Sequence, residues 1–370
     1  MARNTKRLST ASAKPHILVS RAPKIIDIRS SKACPLDTLD FSILDGLSQP
    51  WGNKTLPQLL LWDEKGQRLY DEILATREYY PYRIENELLQ ERVQEITSTI
   101  AASRPDLLVE LGAGNMSKTA QLLSLLDASL SKPVVYYALD VDRAQLKRSL
   151  EQLQSRTRFR WITLCGLLGT YEDGANWLVH PKTAVLRKTL VWMGSSIANY
   201  EQHEASKLLE CFARDPRTNT PQNLAGVFLL VDGCQDAARI SLAYDVPSGE
   251  SSRWVLHALE AAREHLCNGG QDDAEVDRLL GDKNWRFKGQ WQSERLQYKN
   301  YLVPTRELVG TIYDKRIHFK EGERVAILGS GKWTRDTMSA VASEAGLEVR
   351  RSWRNPEFNY VMTLDRAIAA

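Results

Sequence analysis

The middle of the chain alternates between short apolar runs and longer segments in which apolar residues recur at helical spacing. Apolar runs of this length are typical of buried strands, and the segments between them predict helices. Strands that alternate with helices form a parallel sheet with right-handed crossovers, so the pattern predicts an α/β domain. The predicted strands of this domain cover residues 107–111, 134–139, 160–164, 189–193 and 226–231.

The segments on either side of this alternation follow other patterns. Pro81 lies in an aromatic cluster that we expect to precede a helix, because proline resists a helix interior. Before the alternation, the spacing predicts a strand at 25–28 and helices at 55–61, 66–74 and 85–100. After it, the sequence predicts helices at 252–266, 272–280 and 334–344, a hairpin region at 286–303, and strands after 324, near 349–353 and at 360–363.

The composition is that of an ordinary globular enzyme: of 370 residues, 43% are hydrophobic and 26% are charged. This length suffices for two domains or for one domain with a large lobe. The net charge of +3 comes from interspersed acids and bases rather than a basic patch, so we expect no nucleic-acid partner. The longest apolar runs are far too short to span a bilayer, so we expect no membrane partner.

Cysteine usage and the N-terminal segment both favour a cytoplasmic protein. The five cysteines are odd in number, scattered and without CxxC spacing, which predicts reduced thiols and no metal site. Residues 1–24 are basic and rich in serine and alanine, but they lack the apolar core of a secretory signal. A mitochondrial presequence is one alternative, and we expect instead a disordered cytosolic tail over residues 1–22. The cysteines are Cys34, Cys165, Cys211, Cys234 and Cys267.

The first strand of the alternation leads into a turn that is typical of nucleotide pockets. Glu110 lies near the end of an apolar run, Gly112 and Gly114 form a Gly-x-Gly turn, and a helical segment follows. We expect a side chain at either glycine to block the approach of a ligand to the backbone. Asp140 ends the next predicted strand, where a carboxylate accepts both ribose hydroxyls of an adenosine cofactor.

The acid in this turn favours S-adenosylmethionine (SAM) over a dinucleotide. Glu110 would oppose a pyrophosphate, whereas the sulfonium and amino groups of SAM are cationic. The dinucleotide fingerprint also needs a third glycine three residues after Gly114, and that position holds Ser117. NAD is therefore the competing and less favoured cofactor.

Two further groups of residues suit a substrate. Residues 192–200 follow the fourth predicted strand and place Gly194, Ser195 and Asn199 beside the expected cofactor site. The amide of Asn199 suits a substrate carboxylate or amine, although a helix cap or a turn is the structural alternative. A group of aromatic residues either encloses an amine by cation–π attraction or belongs to the core. Its members are Tyr70, Tyr79, Tyr80, Tyr82, Tyr244 and Trp254.

Six short segments together carry a resemblance to a known family: 78–85 (EYYPYRIE), 109–114 (VELGAG), 118–119, 136–140, 169–174 and 194–199. The chain resembles the SAM-dependent methyltransferase family of the histidine Nα-methyltransferase of ergothioneine synthesis. The fungal branch of that family includes the 4-dimethylallyltryptophan N-methyltransferase of ergot alkaloid synthesis. The similarity runs from about residue 25 to residue 365, and the combination of motifs is specific although each motif alone is not.

The resemblance implies a fold, a cofactor and a set of site residues. The fold is a Rossmann-like class I SAM-dependent methyltransferase domain over 104–235. A split α+β substrate lobe comes from 23–103 and 236–315, and 316–370 completes the sheet and the pocket. The residues expected to bind the cofactor are Glu110, Gly112, Gly114, Lys118, Asp140, Gly194 and Ser195. The residues expected to contact the substrate are Tyr79, Asn199 and Tyr244, which we expect to be catalytic, and Tyr70, Tyr82, Leu328 and Ser330.

One departure from the family pattern bears on the substrate. Histidine methyltransferases carry an acid and a serine in a C-terminal strand, and here Leu328 replaces the acid while Ser330 remains. Because leucine cannot hydrogen-bond an imidazole, we predict methylation of the α-amine of an aromatic amino acid or a prenylated tryptophan in fungal alkaloid or other secondary metabolism. Trp333 and Trp353 suggest that the same region forms an apolar pocket. Histidine trimethylation for ergothioneine is the alternative.

Methyl transfer from a sulfonium depends mainly on proximity and orientation. We expect the neutral amine to be bound and oriented by tyrosine hydroxyls and Asn199, because no histidine is placed as an obvious base. His257 and His318 are expected to be surface or structural residues. A non-catalytic SAM-binding scaffold is the alternative of another class, and an NAD(P) oxidoreductase is a more distant one. The sequence leaves open the number of methyl groups transferred and the choice between a monomer and a homodimer.

Overall fold

The computed structural model describes residues 22–30 and 39–367. In chain order, its strands are β1 (Lys24–Asp27), β2 (Leu107–Leu111), β3 (Val134–Asp140), β4 (Ile162–Leu168), β5 (Lys188–Trp192), β6 (Leu224–Val231), β7 (Trp285–Gln292), β8 (Gln297–Pro304), β9 (Leu308–Ile312), β10 (Lys315–Phe319), β11 (Val325–Gly331), β12 (Leu347–Asn355) and β13 (Tyr360–Ala367). Its α-helices are α1 (Leu39–Leu47), α2 (Glu64–Leu74), α3 (Tyr80–Ala102), α4 (Ser117–Ser129), α5 (Arg143–Arg156), α6 (Tyr171–Leu178), α7 (Pro181–Ala184), α8 (Gln202–Ala213), α9 (Ala237–Tyr244), α10 (Glu250–Asn268), α11 (Asp273–Leu280) and α12 (Arg335–Glu344).

Eight strands form the central sheet, in the order β1-β4-β3-β2-β5-β6-β13-β12. Neighbouring strands from β1 to β6 in that order run parallel, which confirms the predicted parallel sheet. β13 pairs antiparallel with β6, and β12 pairs antiparallel with β13. β2 lies between β3 and β5, so the strand order changes direction there and a crevice opens beyond the carboxyl ends of these strands. The glycine turns after β2 and β5 lie at that crevice.

The start of α3 and the segment before α2 differ from the prediction. α3 begins at Tyr80, so Pro81 lies in its first turn, where the missing N–H costs no helical hydrogen bond. The predicted helix at 55–61 is only a 3-10 turn over Gln58–Leu61. Thr55 forms an isolated parallel bridge with Ala326, and this long-range pairing competes with the local helical preference.

A second, antiparallel sheet has the order β11-β8-β7. The predicted hairpin region at 286–303 is confirmed, because β7 and β8 pair along their whole length. The strand predicted after residue 324 is β11, and it pairs with β8 instead of joining the central sheet. The β9–β10 hairpin between them returns the chain beside β8. The predicted division between 315 and 316 therefore falls at the start of β10, and only β12 and β13 complete the central sheet.

Two buried apolar clusters pack on the two faces of the central sheet. Successive residues of β6 alternate between them: Phe228 and Leu230 belong to one cluster, and Val227 and Leu229 belong to the other. The tryptophans that were expected near the substrate pocket lie in these clusters, Trp353 in the first and Trp333 in the second. Among the helices described, none has the length and apolar content needed to cross a bilayer.

Candidate functional site

A cavity of about 530 Å³ lies between the carboxyl ends of β2, β3 and β5 on one side and α2, α10 and β11 on the other. All of the residues predicted to bind the cofactor and all of those predicted to contact the substrate line this cavity. Trp254 lines it as well. These residues are Tyr70, Tyr79, Tyr82, Glu110, Gly112, Gly114, Lys118, Asp140, Gly194, Ser195, Asn199, Tyr244, Leu328 and Ser330.

The Gly-x-Gly turn shapes one end of the cavity. Both glycines have positive φ, 68° at Gly112 and 53° at Gly114, a conformation that other residues rarely adopt. A Cβ at Gly112 would lie 2.6 Å from the hydroxyl of Tyr171, so packing inside the protein already requires this glycine. A Cβ at Gly114 would meet no atom of the described residues within 4 Å, so it would occupy open space in the cavity wall. Gly114 therefore fits the predicted close approach of a ligand.

Asp140 connects this turn to the end of β3. Its Oδ2 accepts a hydrogen bond from the backbone N of Gly114 at 2.9 Å. Its Oδ1 accepts hydrogen bonds from the backbone N atoms of Val141 and Asp142 at 2.8 and 3.2 Å. Burial raises the pKa of Asp140, against the effect of these three hydrogen bonds. Since a carboxylate oxygen has two lone pairs, Oδ2 keeps one acceptor site for a ribose hydroxyl.

Glu110 is buried and is already bound by protein hydroxyls. Its carboxylate accepts hydrogen bonds from Thr119 Oγ1 at 2.8 Å and from the hydroxyl of Tyr136. Burial raises the pKa of Glu110 to about 7, although these hydrogen bonds and the charge of Lys118 act in the opposite direction. A cation bound nearby would favour the charged form of this carboxylate. The site is therefore suited to the cationic groups of SAM.

Lys118 is held by a buried acid that sequence reasoning missed. The Nζ of Lys118 lies 2.9 Å from Oε1 of Glu85, which is 1% exposed. Glu85 also accepts hydrogen bonds from the backbone N of Gly194 at 2.8 Å and from the hydroxyl of Tyr360 at 3.0 Å. One carboxylate thus connects α3, α4, the loop after β5, and β13. Glu85 could have been identified as a candidate from its position as the last residue of the EYYPYRIE motif.

The loop after β5 carries two predicted residues with different environments. Ser195 has a positive φ of 59°, and its hydroxyl accepts a hydrogen bond from the backbone N of Asp232 at 3.1 Å. This contact fixes the loop to the end of β6. Asn199 ends a 3-10 turn and is half-buried in the cavity wall. Within residues 22–30 and 39–367, its side-chain amide has no hydrogen-bond partner, so it is free to bind a substrate.

Aromatic rings form the wall opposite the glycine turn. The hydroxyls of Tyr70 and Tyr79 lie 3.0 Å apart, and the ring of Tyr79 contacts that of Tyr244 edge-on at 5.5 Å. Trp62 contacts the rings of Tyr70 and Trp254 at 5.1 and 5.3 Å. Sequence reasoning missed Trp62, because it follows a 3-10 turn in a segment with no motif to mark it.

Tyr80, which was expected with these aromatics, faces away from the cavity. Its ring stacks on Phe358 at 4.9 Å, and its hydroxyl donates to Oδ2 of Asp232 at 2.7 Å. The same Asp232 pairs with Lys332 at 3.2 Å, and both side chains are almost fully buried. Lys332 donates to the hydroxyl of Tyr244 at 2.8 Å. Burial lowers the pKa of Lys332, against the attraction of Asp232.

The second sheet supplies the remaining wall. Leu328 and Ser330 lie on β11, line the cavity and are 5% and 7% exposed. Asn300 of β8 pairs with Leu328 in the sheet register and lines the cavity too, although no sequence motif marked it. His257 and His318 lie outside the cavity lining, which agrees with the expectation that they are structural or surface residues. His257 is buried and hydrogen-bonds Asp63, and His318 on the surface hydrogen-bonds Glu307.

Comparisons with known proteins point to methyltransferases. N-methyltransferase imqF of Aspergillus flavus is 36% identical over 342 residues, which cover 92% of this chain and 88% of that protein. Ergothioneine biosynthesis protein 1 of Neurospora crassa is 32% identical over 82% of this chain and 32% of its own length. The 4-dimethylallyltryptophan N-methyltransferase easF of Claviceps purpurea is 29% identical over 90% of this chain and 95% of its own length.

A family model described as histidine-specific methyltransferase, SAM-dependent, matches residues 39–367. This match confirms the resemblance seen in the sequence and confirms SAM as the cofactor. Because it spans most of the chain, this protein belongs to the histidine-specific, SAM-dependent methyltransferase family and is a SAM-dependent N-methyltransferase.

Proposed function

We propose that the enzyme methylates the α-amine of an aromatic amino acid or of a prenylated tryptophan in fungal secondary metabolism. The relatives that match over most of their own length support this proposal. By their names, imqF is an N-methyltransferase and easF methylates 4-dimethylallyltryptophan. The ergothioneine protein is 32% identical over 82% of this chain, so histidine is the alternative that the assay below must test.

The main observation in support of the proposal is where the acidic residues lie in the cavity wall. Its acidic lining residues all lie at the ends of β2, β3 and β4 or just after them, on the side of the glycine turn: Glu110, Asp140, Asp142 and Glu172. On the opposite wall, the described residues supply no carboxylate, and Leu328 is buried there. An imidazole has two nitrogens to satisfy, of which Leu328 satisfies neither and the single amide of Asn300 beside it at most one, whereas an aromatic ring packs well against leucine and other rings.

The residues around the cavity are suited to positioning an amino acid. When bound, SAM would supply an electrophilic methyl group, and these residues would hold the neutral amine of the substrate beside it. The free amide of Asn199 suits the substrate carboxylate, and the hydroxyls of Tyr79 and Tyr244 suit the amine. The described lining contains no histidine. We therefore propose that the amine loses its proton to solvent first and that orientation supplies most of the rate enhancement.

The division of the chain into a cofactor domain at 104–235 and a substrate lobe on both flanks is also part of this proposal. We propose a cytoplasmic monomer or homodimer that acts on small molecules, without a nucleic-acid or membrane partner. The described cysteines are free thiols, which fits a reducing compartment. Cys34 lies outside the described residues. Light scattering during size-exclusion chromatography distinguishes the monomer from the homodimer.

The test is a mass-spectrometric assay of the purified enzyme with SAM and a panel of amines. The panel contains tyrosine, phenylalanine, tryptophan, 4-dimethylallyltryptophan and histidine. We expect methylated aromatic amines, and the mass gain counts the methyl groups transferred. Conversion of histidine alone into its trimethylated betaine would overturn the proposal. Calorimetry with SAM and S-adenosylhomocysteine completes the test, because a transferase binds both and a protein without a SAM site binds neither.

Asn199→Ala tests the proposed carboxylate contact. A hydrogen bond to a charged group contributes enough that we expect kcat/KM for the amino acid to fall about 10- to 100-fold. The affinity for SAM should stay the same. Asn268→Ala is the matched control, because Asn268 is exposed at the end of α10 and is not part of the cavity. Unchanged kcat/KM in Asn199→Ala would show that Asn199 does not hold the substrate.

A further inference from the structure

We infer that Asn300 recognises a polar group on the aromatic side chain of the substrate, and that a phenol is the preferred side chain. This inference rests on the proposed function, because it names the side chain of the same aromatic amine. It concerns a residue outside every motif in the sequence, in the middle of β8.

Asn300 has a side-chain amide that no described residue binds. The residue is 2% exposed and lines the cavity. In the part of the chain that the structure describes, no protein group hydrogen-bonds its side chain, and its amide atoms are not fully enclosed by protein, so they face the cavity. Water in the cavity can bind such an amide until a ligand displaces it, and an amide left unpaired after that displacement costs free energy. A polar ligand atom in the cavity would supply the missing partner.

The sheet register places this amide at the far end of the substrate wall. Leu328 pairs with Asn300, and Ser330 pairs with Tyr298, so these side chains share one face of the sheet. The end of β11 lies beside the loop of Asn199, because a Cβ at Gly331 would lie only 2.8 Å from the backbone O of Ala198. Leu328 is two residues back from Ser330, about 7 Å along the strand. An amino acid held at Asn199 would therefore extend its ring toward Asn300.

The chemistry of the amide selects among aromatic side chains. An asparagine side chain offers both an N–H donor and a carbonyl acceptor. A phenol hydroxyl both donates and accepts, so it can satisfy either side of the amide. An indole N–H only donates, so it can pair only with the carbonyl oxygen of the amide, and a phenyl ring pairs with neither side. The wall therefore favours tyrosine-like amines over tryptophan-like and phenylalanine-like ones.

The test compares kcat/KM for tyrosine, phenylalanine and tryptophan in the wild type and in Asn300→Leu. We expect the wild type to prefer tyrosine to phenylalanine by about 10- to 100-fold, the effect of one unpaired buried group. Asn300→Leu should remove that preference. Its Tm should not fall, because the substitution removes a polar group that no described residue hydrogen-bonds. A role in holding β8 together would instead lower Tm and leave the ratio unchanged.

Gln297→Leu is the matched control. Gln297 is another buried amide of β8, 3% exposed, but it does not line the cavity. Its replacement should leave the ratio of tyrosine to phenylalanine as in the wild type. The inference is wrong if the wild type uses phenylalanine or tryptophan as well as tyrosine, or if Asn300→Leu keeps the ratio. If the wild type methylates no aromatic amine at all, the proposed function fails, and the inference fails with it.

Discussion

At the scale of single residues, the site depends on an ion pair that has been removed from water. Asp232 and Lys332 are 0% and 1% exposed. Asp232 also accepts hydrogen bonds from the hydroxyl of Tyr80 and the backbone N of Cys234, and Lys332 donates to Tyr244. Burying two charges costs about as much as their attraction returns, so the intact pair adds little stability. Loss of one partner, however, leaves the other charge buried and unpaired.

Lys332→Met should therefore lower the free energy of unfolding by about 3–5 kcal/mol. The double variant Asp232→Asn with Lys332→Met should recover most of that loss, because no buried charge remains. Urea denaturation of the wild type, both single variants and the double variant measures the coupling. If the two single effects simply add in the double variant, the residues do not act as a pair.

The sequence predicted the residues of the glycine turn because their signals are local. Gly112, Gly114 and Asp140 each follow or end a strand whose apolar run is visible in the chain, and parallel strands present such positions at one edge. Asn300 and Lys332 had no comparable signal. Their place in the cavity follows from pairing between β8 and β11, and this register depends on contacts distant in sequence. The pattern within a single segment therefore does not show which residues of β8 and β11 are paired.

At the scale of secondary-structure elements, a buried histidine connects the helices that carry the aromatic wall. His257 of α10 hydrogen-bonds both carboxylate oxygens of Asp63, which caps the start of α2, at 2.8 and 2.9 Å. Glu260 lies 3.3 Å from its other ring nitrogen. α2 carries Tyr70 and α10 carries Trp254, so this contact fixes two cavity residues relative to each other.

The stability that this contact adds should depend on pH. Burial opposes ionisation of His257, but Asp63 and Glu260 outweigh it and raise its pKa above the ordinary 6.5. Burial likewise opposes ionisation of Asp63, yet the hydrogen bonds from His257 and Gly66 lower its pKa below 3.8. The histidine contribution is fully present below pH 6.5 and is lost as pH rises through the raised pKa. The contribution of Asp63 is present above pH 3.8 and is lost as pH falls through the lowered pKa.

His257→Gln tests this contact between the helices. At pH 6 it should lower the free energy of unfolding by roughly 1–3 kcal/mol, between the values for exposed and buried ion pairs. The difference from the wild type should shrink at pH 9. Because Tyr70 and Trp254 are then no longer held in fixed positions relative to each other in the cavity wall, KM for the amine should rise more than KM for SAM. Denaturation curves at both pH values and steady-state kinetics provide the check; equal differences at pH 6 and pH 9 would contradict it.

At the scale of the whole molecule, segments distant in the chain form one sheet. β1 comes from residues 24–27 and β12 from residues 347–355, and they lie at opposite edges of the sheet that holds the cofactor turn. β13 lies inside the sheet, between β6 and β12. The five central parallel strands were predictable from local periodicity. The pairing of β13 with β6 could not be predicted, because the sequence of a short strand does not show which other strand it pairs with.

Thr363→Pro tests how far the sheet depends on β13. Thr363 pairs with Leu229 on one side and Ser352 on the other, so a proline there removes a hydrogen bond from an interior strand. We expect a loss of about 3 kcal/mol or more and weaker SAM binding, since β6 leads into Asp232 and the Ser195 contact. Thr363→Val is the matched control. The hydroxyl of Thr363 is buried and has no hydrogen-bond partner among the described residues, so valine should preserve or raise Tm. Equal Tm values for the two variants would contradict the prediction.

The place of β13 in the sheet also has a consequence for synthesis. Residues 360–367 leave the ribosome long after residues 224–231. The free edge of β6 therefore stays unpaired while residues 232–359 are synthesised. All eight residues of β6 are buried in the finished protein, and an exposed apolar strand edge readily pairs with other chains. In this interval the nascent chain exposes an edge that is open to aggregation, so we expect chaperones that bind it then to raise the yield of active enzyme.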